Sequence, residues 1–293
     1  MTTLDKQLAR SAQECQRIHA DHWRLALTNG HMLTVSARRD EGFLLLDADT
    51  AVSPAADRLV PLVEGSRELP AAVKFALRGP TLRLRAEFPL PEDSDVAGER
   101  IHEHLEGVRS ASHWLHDWVS CGAAGEEVAC PEPEGDGQAT PGDLKELLQE
   151  AGWPYHERPG GALLADLETG GQFLQAEIEH HGAGARFRLT LYRHDAPGDD
   201  ARHALCLYLL EANATLRYAR AFLQREGEGI AAGFEVGLGS EPSAAEAGHA
   251  LAALSVAGRQ CAREMEVLKD GVLAGIYRSA RPPLNQQSKN KGA

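Results

Sequence analysis

The chain is poor in aromatic side chains, which make up 5% of its 293 residues. Its cores must therefore be built from Leu, Val and Ala. Long apolar runs are missing too. The longest stretches, at 43–46 and 204–210, fall far short of the roughly 20 residues a membrane-crossing helix needs. The N-terminal MTTLDKQL has no basic region followed by an apolar one, so no secretory signal is expected and the reading places the chain in the cytoplasm. Cysteine is scarce and odd in number: Cys15, Cys121, Cys130, Cys206 and Cys261. Three of them (Cys15, Cys206 and Cys261) fall in predicted helices, which fits reduced thiols better than a disulfide framework. Basic residues are outnumbered, 30 Lys and Arg against 43 Asp and Glu, for a net charge of −13. Such a surface repels phosphate backbones and anionic lipid, so neither nucleic acid nor membrane is expected as a partner.

The length suits two domains. The segment SCGAAGEEVACPEPEGDGQATPG, from Ser120, has no hydrophobic period and reads as a flexible Gly/Pro/acidic linker. The expected organisation is a first domain at 1–120, a linker at 121–142, a second domain at 143–277 and a disordered basic tail at 278–293. The two halves show an internal repeat. Residues 62–78 lie on 209–225 at an offset of 147, matching Glu64 with Glu211, Leu69 with Leu216, Phe75 with Phe222 and Arg78 with Arg225. At an offset of 148, Glu87 matches Glu235, Leu90 matches Leu238 and Val108 matches Val256.

Each half reads α-β-β-β-α-β-β-α. In the second, DLKELLQEA forms a short helix ended by Gly152, followed by strands at 162–168, 172–179 and 185–193. Phe187, Leu189 and Leu191 alternate with Arg186, Arg188 and Thr190, the period of a half-buried strand. A helix at 199–213 carries one apolar stripe: Leu205, Leu209 and Ala212. Strands follow at 217–224 and 230–238. A final helix at 243–270 opens with a possible Ser243/Glu246 capping box and buries small residues that let another element approach. In the first half a helix is expected at 4–20, a meander at 23–28, 31–37 and 43–47 with an Asn29-Gly30 turn, a helix at 55–64, strands at 71–77 and 82–88, and a last helix bearing Val96, Ile101, Leu105, Val108, Ser112, Leu115 and Val119 at helical spacing.

This order resembles the type III secretion chaperone-like fold, and is closest to its YbjN-type branch. The stretch NATLRYARAFLQREGEGIAAGFEVGLGSEPSAAEAGHALAAL from Asn213 and the opening DLKELLQEAGWPY from Asp143 carry the likeness, chiefly over 143–270. The resemblance implies an α+β fold in which helices pack an antiparallel sheet, without catalytic residues or a cofactor. Secretion chaperones are acidic homodimers that bind an extended segment of a client. Two copies in one chain would make an intramolecular pseudo-dimer.

Candidate chemistry is sparse. His113, His116, Cys121 and Cys130 are ligand types that suit zinc, but no tight Cys-x-x-Cys pair anchors them and no metal site is expected. His102 and His104 fall on different helix faces, and His180 and His181 sit at a turn. The 237–240 stretch, Gly-Leu-Gly-Ser, lacks the lysine of a phosphate loop. Arg217, Arg220 and Arg225, near Arg186 and Arg188, form either a basic patch or salt pairs with Glu226 and Glu228. The expected partner surface is the apolar side of the last two strands of each copy: Leu82, Leu84, Phe88, Phe222, Ile230, Phe234 and Val236. The expectation is a non-enzymatic protein-binding module, acting as chaperone, adaptor or regulator on a protein client. Its rivals are a zinc enzyme built on the His113–Cys130 cluster and a small-molecule sensor with a pocket between the halves.

Overall fold

The computed structural model describes residues 2–28, 32–55, 58–66, 69–70, 73–121, 141–169, 171–181, 184–239 and 242–281. The expected linker lies almost wholly outside these residues, as do the Asn29-Gly30 turn, Cys130, Ser240 and most of the C-terminal tail. The fold is α+β, with two antiparallel sheets. It divides into two compact units. One contains residues 1–52 and 68–132, the other residues 53–67 and 133–293. Residues 53–67, which the sequence places in the first domain, thus group with the second. No helix among the described residues is long and apolar enough to cross a membrane.

The first unit opens with α1 (Thr3–Ser11). Its capping box joins Thr2 and Asp5: the Thr2 hydroxyl accepts from the Asp5 amide, and the Asp5 carboxylate accepts from the Thr2 amide. The Trp23 indole also donates to Asp5, at 2.7 Å. These contacts hold the Asp5 carboxyl down at about 2. Six strands follow: β1 (Glu14–His19), β2 (His22–Thr28), β3 (Met32–Asp40), β4 (Phe43–Asp49), β5 (Val73–Arg78) and β6 (Thr81–Pro89), in the order β1-β2-β3-β4-β6-β5. Strict alternation buries Trp23, Leu25 and Leu27 on β2 and Leu44, Leu46 and Ala48 on β4. Helix α3 (Ser94–Cys121) covers β5 and β6 and supplies Ile101, Leu105, Val108 and Leu115 to the core. Each fully buried Leu or Ile stabilises by about 1.5–3 kcal/mol, so this apolar layer carries the unit.

Two expectations are corrected here. The first helix ends at Ser11 rather than near residue 20, and ECQRIH forms β1, which places Cys15 in a strand. This edge strand is mostly exposed, so its sequence shows no apolar alternation, and only backbone pairing with β2 defines it. Each half therefore has four strands, not three, before its middle helix.

The second unit contains α2 (Leu59–Gly65), α4 (Pro141–Glu150), β7 (Tyr155–Glu157), β8 (Leu163–Glu168), β9 (Phe173–His181), β10 (Gly184–His194), α5 (Asp199–Thr215), β11 (Arg220–Glu226), β12 (Gly229–Leu238), α6 (Ala244–Val267) and α7 (Gly271–Ser279). Its sheet runs β11-β12-β10-β9-β8-β7. Counted from each half's first strand, the two sheets share one order: first, second, third, fourth, sixth, fifth. The missed β7 is only three residues long. Gly152 ends α4 at φ +68°, a left-handed conformation that favours glycine.

Hairpin register corrects the repeat alignment. Arg78 pairs with Thr81 and Glu226 with Gly229, each across a two-residue turn. Counted from the turns, Arg78 answers to Glu226 rather than Arg225, and one offset of 148 serves the whole hairpin.

Helix α6 keeps the expected capping box: the Ser243 hydroxyl accepts from the Glu246 amide, and Glu246 accepts from the Ser243 amide. Its close approach to the sheet is visible at Gly258, where a Cβ would stand 2.7 Å from a Leu174 methyl. The helix stops at Val267 rather than 270. Asp270 then accepts from the amides of Val272 and Leu273 and starts α7, so Arg278 and Ser279 are helical rather than part of a tail. Helix α5 buries far more than one stripe, because α2, α7 and β11 all pack on it. Two of these coverings come from outside the sequence neighbourhood of α5, which its own periodicity could not reveal.

Candidate functional site

The charged side of the second sheet centres on Glu235. Period two turns Arg188 away from the core occupied by Phe187 and Leu189. Register then places Glu235 between Arg220 on β11 and Arg188 on β10. Arg220 donates to one carboxylate oxygen at 3.0 Å and Arg188 to the other at 3.1 Å. Arg188 also donates to Gln224 at 3.2 Å and lies over the Phe222 ring. Glu235 is 1% exposed. Burial alone would raise its carboxyl, but Arg220, Arg188 and Arg186 outweigh burial and hold it below the ordinary glutamate range.

The first sheet has a counterpart. Glu87 accepts from Lys74 at 3.0 Å and from Arg85 at 2.8 Å, and Lys74 is 1% exposed. Burial pushes the Lys74 ammonium down, against the pull of Glu87, and Arg85 adds to the lowering. In both clusters one carboxylate is held by two cations, and removing it would leave them uncompensated. The sequence signal was the Glu87–Glu235 match, but the cations sit at unmatched positions. Two of the three arginines expected to meet Glu226 and Glu228 have other carboxylate partners: Arg220 pairs with Glu235 and Arg225 with Glu64 at 2.6 Å, while Glu226 takes Arg193.

The seven residues expected on a partner surface are all interior. Leu82, Leu84, Phe88, Phe222, Ile230, Phe234 and Val236 are at most 5% exposed. Phe222 lies on the charged side of β11 beneath Arg188, so the seven do not form one apolar patch. Of the zinc candidates, His113 meets Asp117 at 2.8 Å one turn along α3, Cys121 ends that helix, and Cys130 lies outside the described residues. No group of three or more His, Cys, Asp or Glu comes together among the described residues. His104 is buried and stacks on Phe88 at 3.8 Å, with its ring bonded to the Arg100 carbonyl. Both ring nitrogens of His180 are buried without a hydrogen-bond partner. Burial lowers neighbouring His181, with Arg186 adding to the effect. Burial pushes the Cys261 thiol up to about 11 and raises Cys206 and Cys15 as well, so these thiols stay protonated and unreactive near neutral pH.

Two surface features were not read from the sequence. One is a cleft of about 330 Å³ beside the β11–β12 turn. The other is the outer face of α7. Tyr277 and Arg281 both bond Glu211 on α5, at 2.7 and 2.8 Å, and Ala274 is buried. These contacts fix the helix by one side and leave Val272, Leu273 and Ile276 exposed on the other, Val272 at 73%. The i, i+4 spacing of Val272 and Ile276 was a legible signal, missed because the last helix was taken to end at 270 and no element was assigned to 271–277.

Residues 140–266 match the YbjN family, described as "Putative bacterial sensory transduction regulator". The second unit carries a YbjN domain. This domain contains the Arg188–Glu235–Arg220 cluster and nearly all of α6. Both α7 and α2 lie outside its matched residues. No curated protein and no solved structure was found to match the chain.

Proposed function

We propose that the chain is a non-enzymatic regulatory protein-binding module built from two tandem copies of the YbjN-type, type III chaperone-like fold. The YbjN match over residues 140–266 supports the regulatory, protein-binding class. The common strand order of the two sheets, and a buried carboxylate at the same place in each, support the tandem reading.

In this proposal the partner meets α7 rather than the interior residues of the sheets. The observation that carries it is the apolar outer face of α7, held in place by Glu211 on its inner side. A helix presenting i and i+4 anchors suits a hydrophobic groove on another protein. The test is capture from native extract by the full chain, alongside the Val272→Asp and Ile276→Asp variants. A stoichiometric partner that both variants lose, while keeping the parent melting temperature, is the expected result. Equal capture by all three proteins would refute the placement on α7, and a stoichiometric, activity-bearing metal in the purified chain would refute the non-enzymatic reading.

A further inference from the structure

The cleft beside the β11–β12 turn has an uneven charge account. Four charged side chains line it: Glu64, Arg202, Arg225 and Glu228. Glu64 and Arg225 neutralise each other through a two-pronged pair, at 2.6 and 3.1 Å. Arg202 and Glu228 have no such partner. No hydrogen bond or ion pair reaches the Arg202 guanidinium among the described residues, although its Nε is buried. Glu228 stands exposed at the turn, likewise without an ion pair. A buried guanidinium nitrogen without an acceptor is costly and is a place where a ligand atom gains most. Val60, Leu223 and Ile230 line the cleft as well. Ala196 and Pro197 also line the cleft, just before α5. That helix starts at Gly198 without a side-chain cap and carries Asp199 and Asp200 in its first turn, which offset its positive end, so an anion on this side depends on Arg202.

We propose that this cleft binds a small zwitterion, namely a free α-amino acid with an apolar side chain. Its carboxylate meets Arg202, its ammonium meets Glu228, and its side chain lies against Val60, Leu223 and Ile230. The volume of about 330 Å³ accommodates a ligand of that size. A simple dianion is disfavoured, because Glu64 and Glu228 oppose it and Arg225 is already paired. The site is independent of the α7 surface and would give the chain a small-molecule input.

The experiment is calorimetric titration of the full chain to about 10 mM ligand, which reaches millimolar affinities. The probes are L-leucine, N-acetyl-L-leucine (no ammonium), L-leucinamide (no carboxylate) and inorganic phosphate. Saturable binding of leucine alone is expected. Arg202→Ala and Glu228→Gln should each weaken it about tenfold or more, the loss of one charge-assisted contact. Glu228 sits on an exposed turn, so its variant keeps the fold even if the Arg202 variant does not. The proposal is overturned by no leucine binding, by equal binding of either blocked analogue, by a phosphate response that matches leucine, or by full affinity in Glu228→Gln.

Discussion

The two sheets solve the same electrostatic problem with different residues. Glu87 stands six residues beyond Thr81, and Glu235 six beyond Gly229, counting from equivalent turn positions. Both carboxylates are buried, and both are bracketed by two cations. In the first sheet the second cation, Arg85, comes from the same strand as the carboxylate. The equivalent position in the second sheet is Gly233. There β10 carries a bulge between Thr190 and Tyr192, and a Cβ on Gly233 would lie 2.0 Å from the Leu189 carbonyl. No side chain fits, so the second cation comes from the neighbouring strand, as Arg188. In the first sheet β4 and β6 pair without a break. The lesson is that a buried carboxylate fixes the need for two cations, and local backbone approach decides which strand supplies them.

Removing either carboxylate breaks the comparison most severely. Glu235→Ala leaves the buried Arg220 and the half-buried Arg188 without their carboxylate and should cost about 3–5 kcal/mol in chemical denaturation. Glu87→Ala should cost a similar amount, because Lys74 and Arg85 are left in the same position. If one variant is lost and the other is near neutral, the two clusters are not equivalent.

The bulge is tested by Gly233→Ala, expected to cost about 2–3 kcal/mol because backbone must move. The milder Gly258→Ala presses only on side chains and should cost about 1 kcal/mol.

Acid should weaken both units, because Glu235 in the second is lowered as well as Asp5 in the first. Asp5 is held at about 2, below its ordinary 3.8. A carboxyl lowered in the folded state stabilises above its unfolded value, and that contribution is lost as pH falls through the folded one. The first unit should therefore lose stability between about pH 3.8 and 2, and Asp5→Asn should flatten that slope in pH-dependent denaturation. Smaller still is Ser243→Ala, which removes one side of the α6 capping box and should cost about 1 kcal/mol by the same method.

How much of this was legible follows from where each signal lives. The period-two run from Phe187 to Leu189, the Ser243/Glu246 cap and the Gly152 stop were readable because their causes are local, but the bulge after Thr190 shifts the phase, so Tyr192 is buried where Leu191 was expected. Strands β1 and β7 were not, because an exposed edge strand has no buried face to leave an alternating pattern. Helix α5 looked one-sided because the elements covering its other faces, α2 and α7, are distant or unrecognised in sequence. The Glu87–Glu235 match was visible, yet the cations that give it meaning occupy unmatched positions, one pair on equivalent strands and the other on different ones, and escape any alignment. The seven apolar strand residues were correctly read as apolar, but hydrophobicity alone does not separate a core from a partner surface. The α7 face became visible only when Asp270 was seen to start a new helix.

The central claim is that a protein partner docks on α7. Hydrogen exchange of the full chain, with and without its captured partner, tests it most directly. The account predicts new protection concentrated on the amides of Gly271–Ser279, with the β11–β12 hairpin unchanged. Protection on the hairpin or on an edge strand, with α7 exchanging as in the free chain, would contradict it.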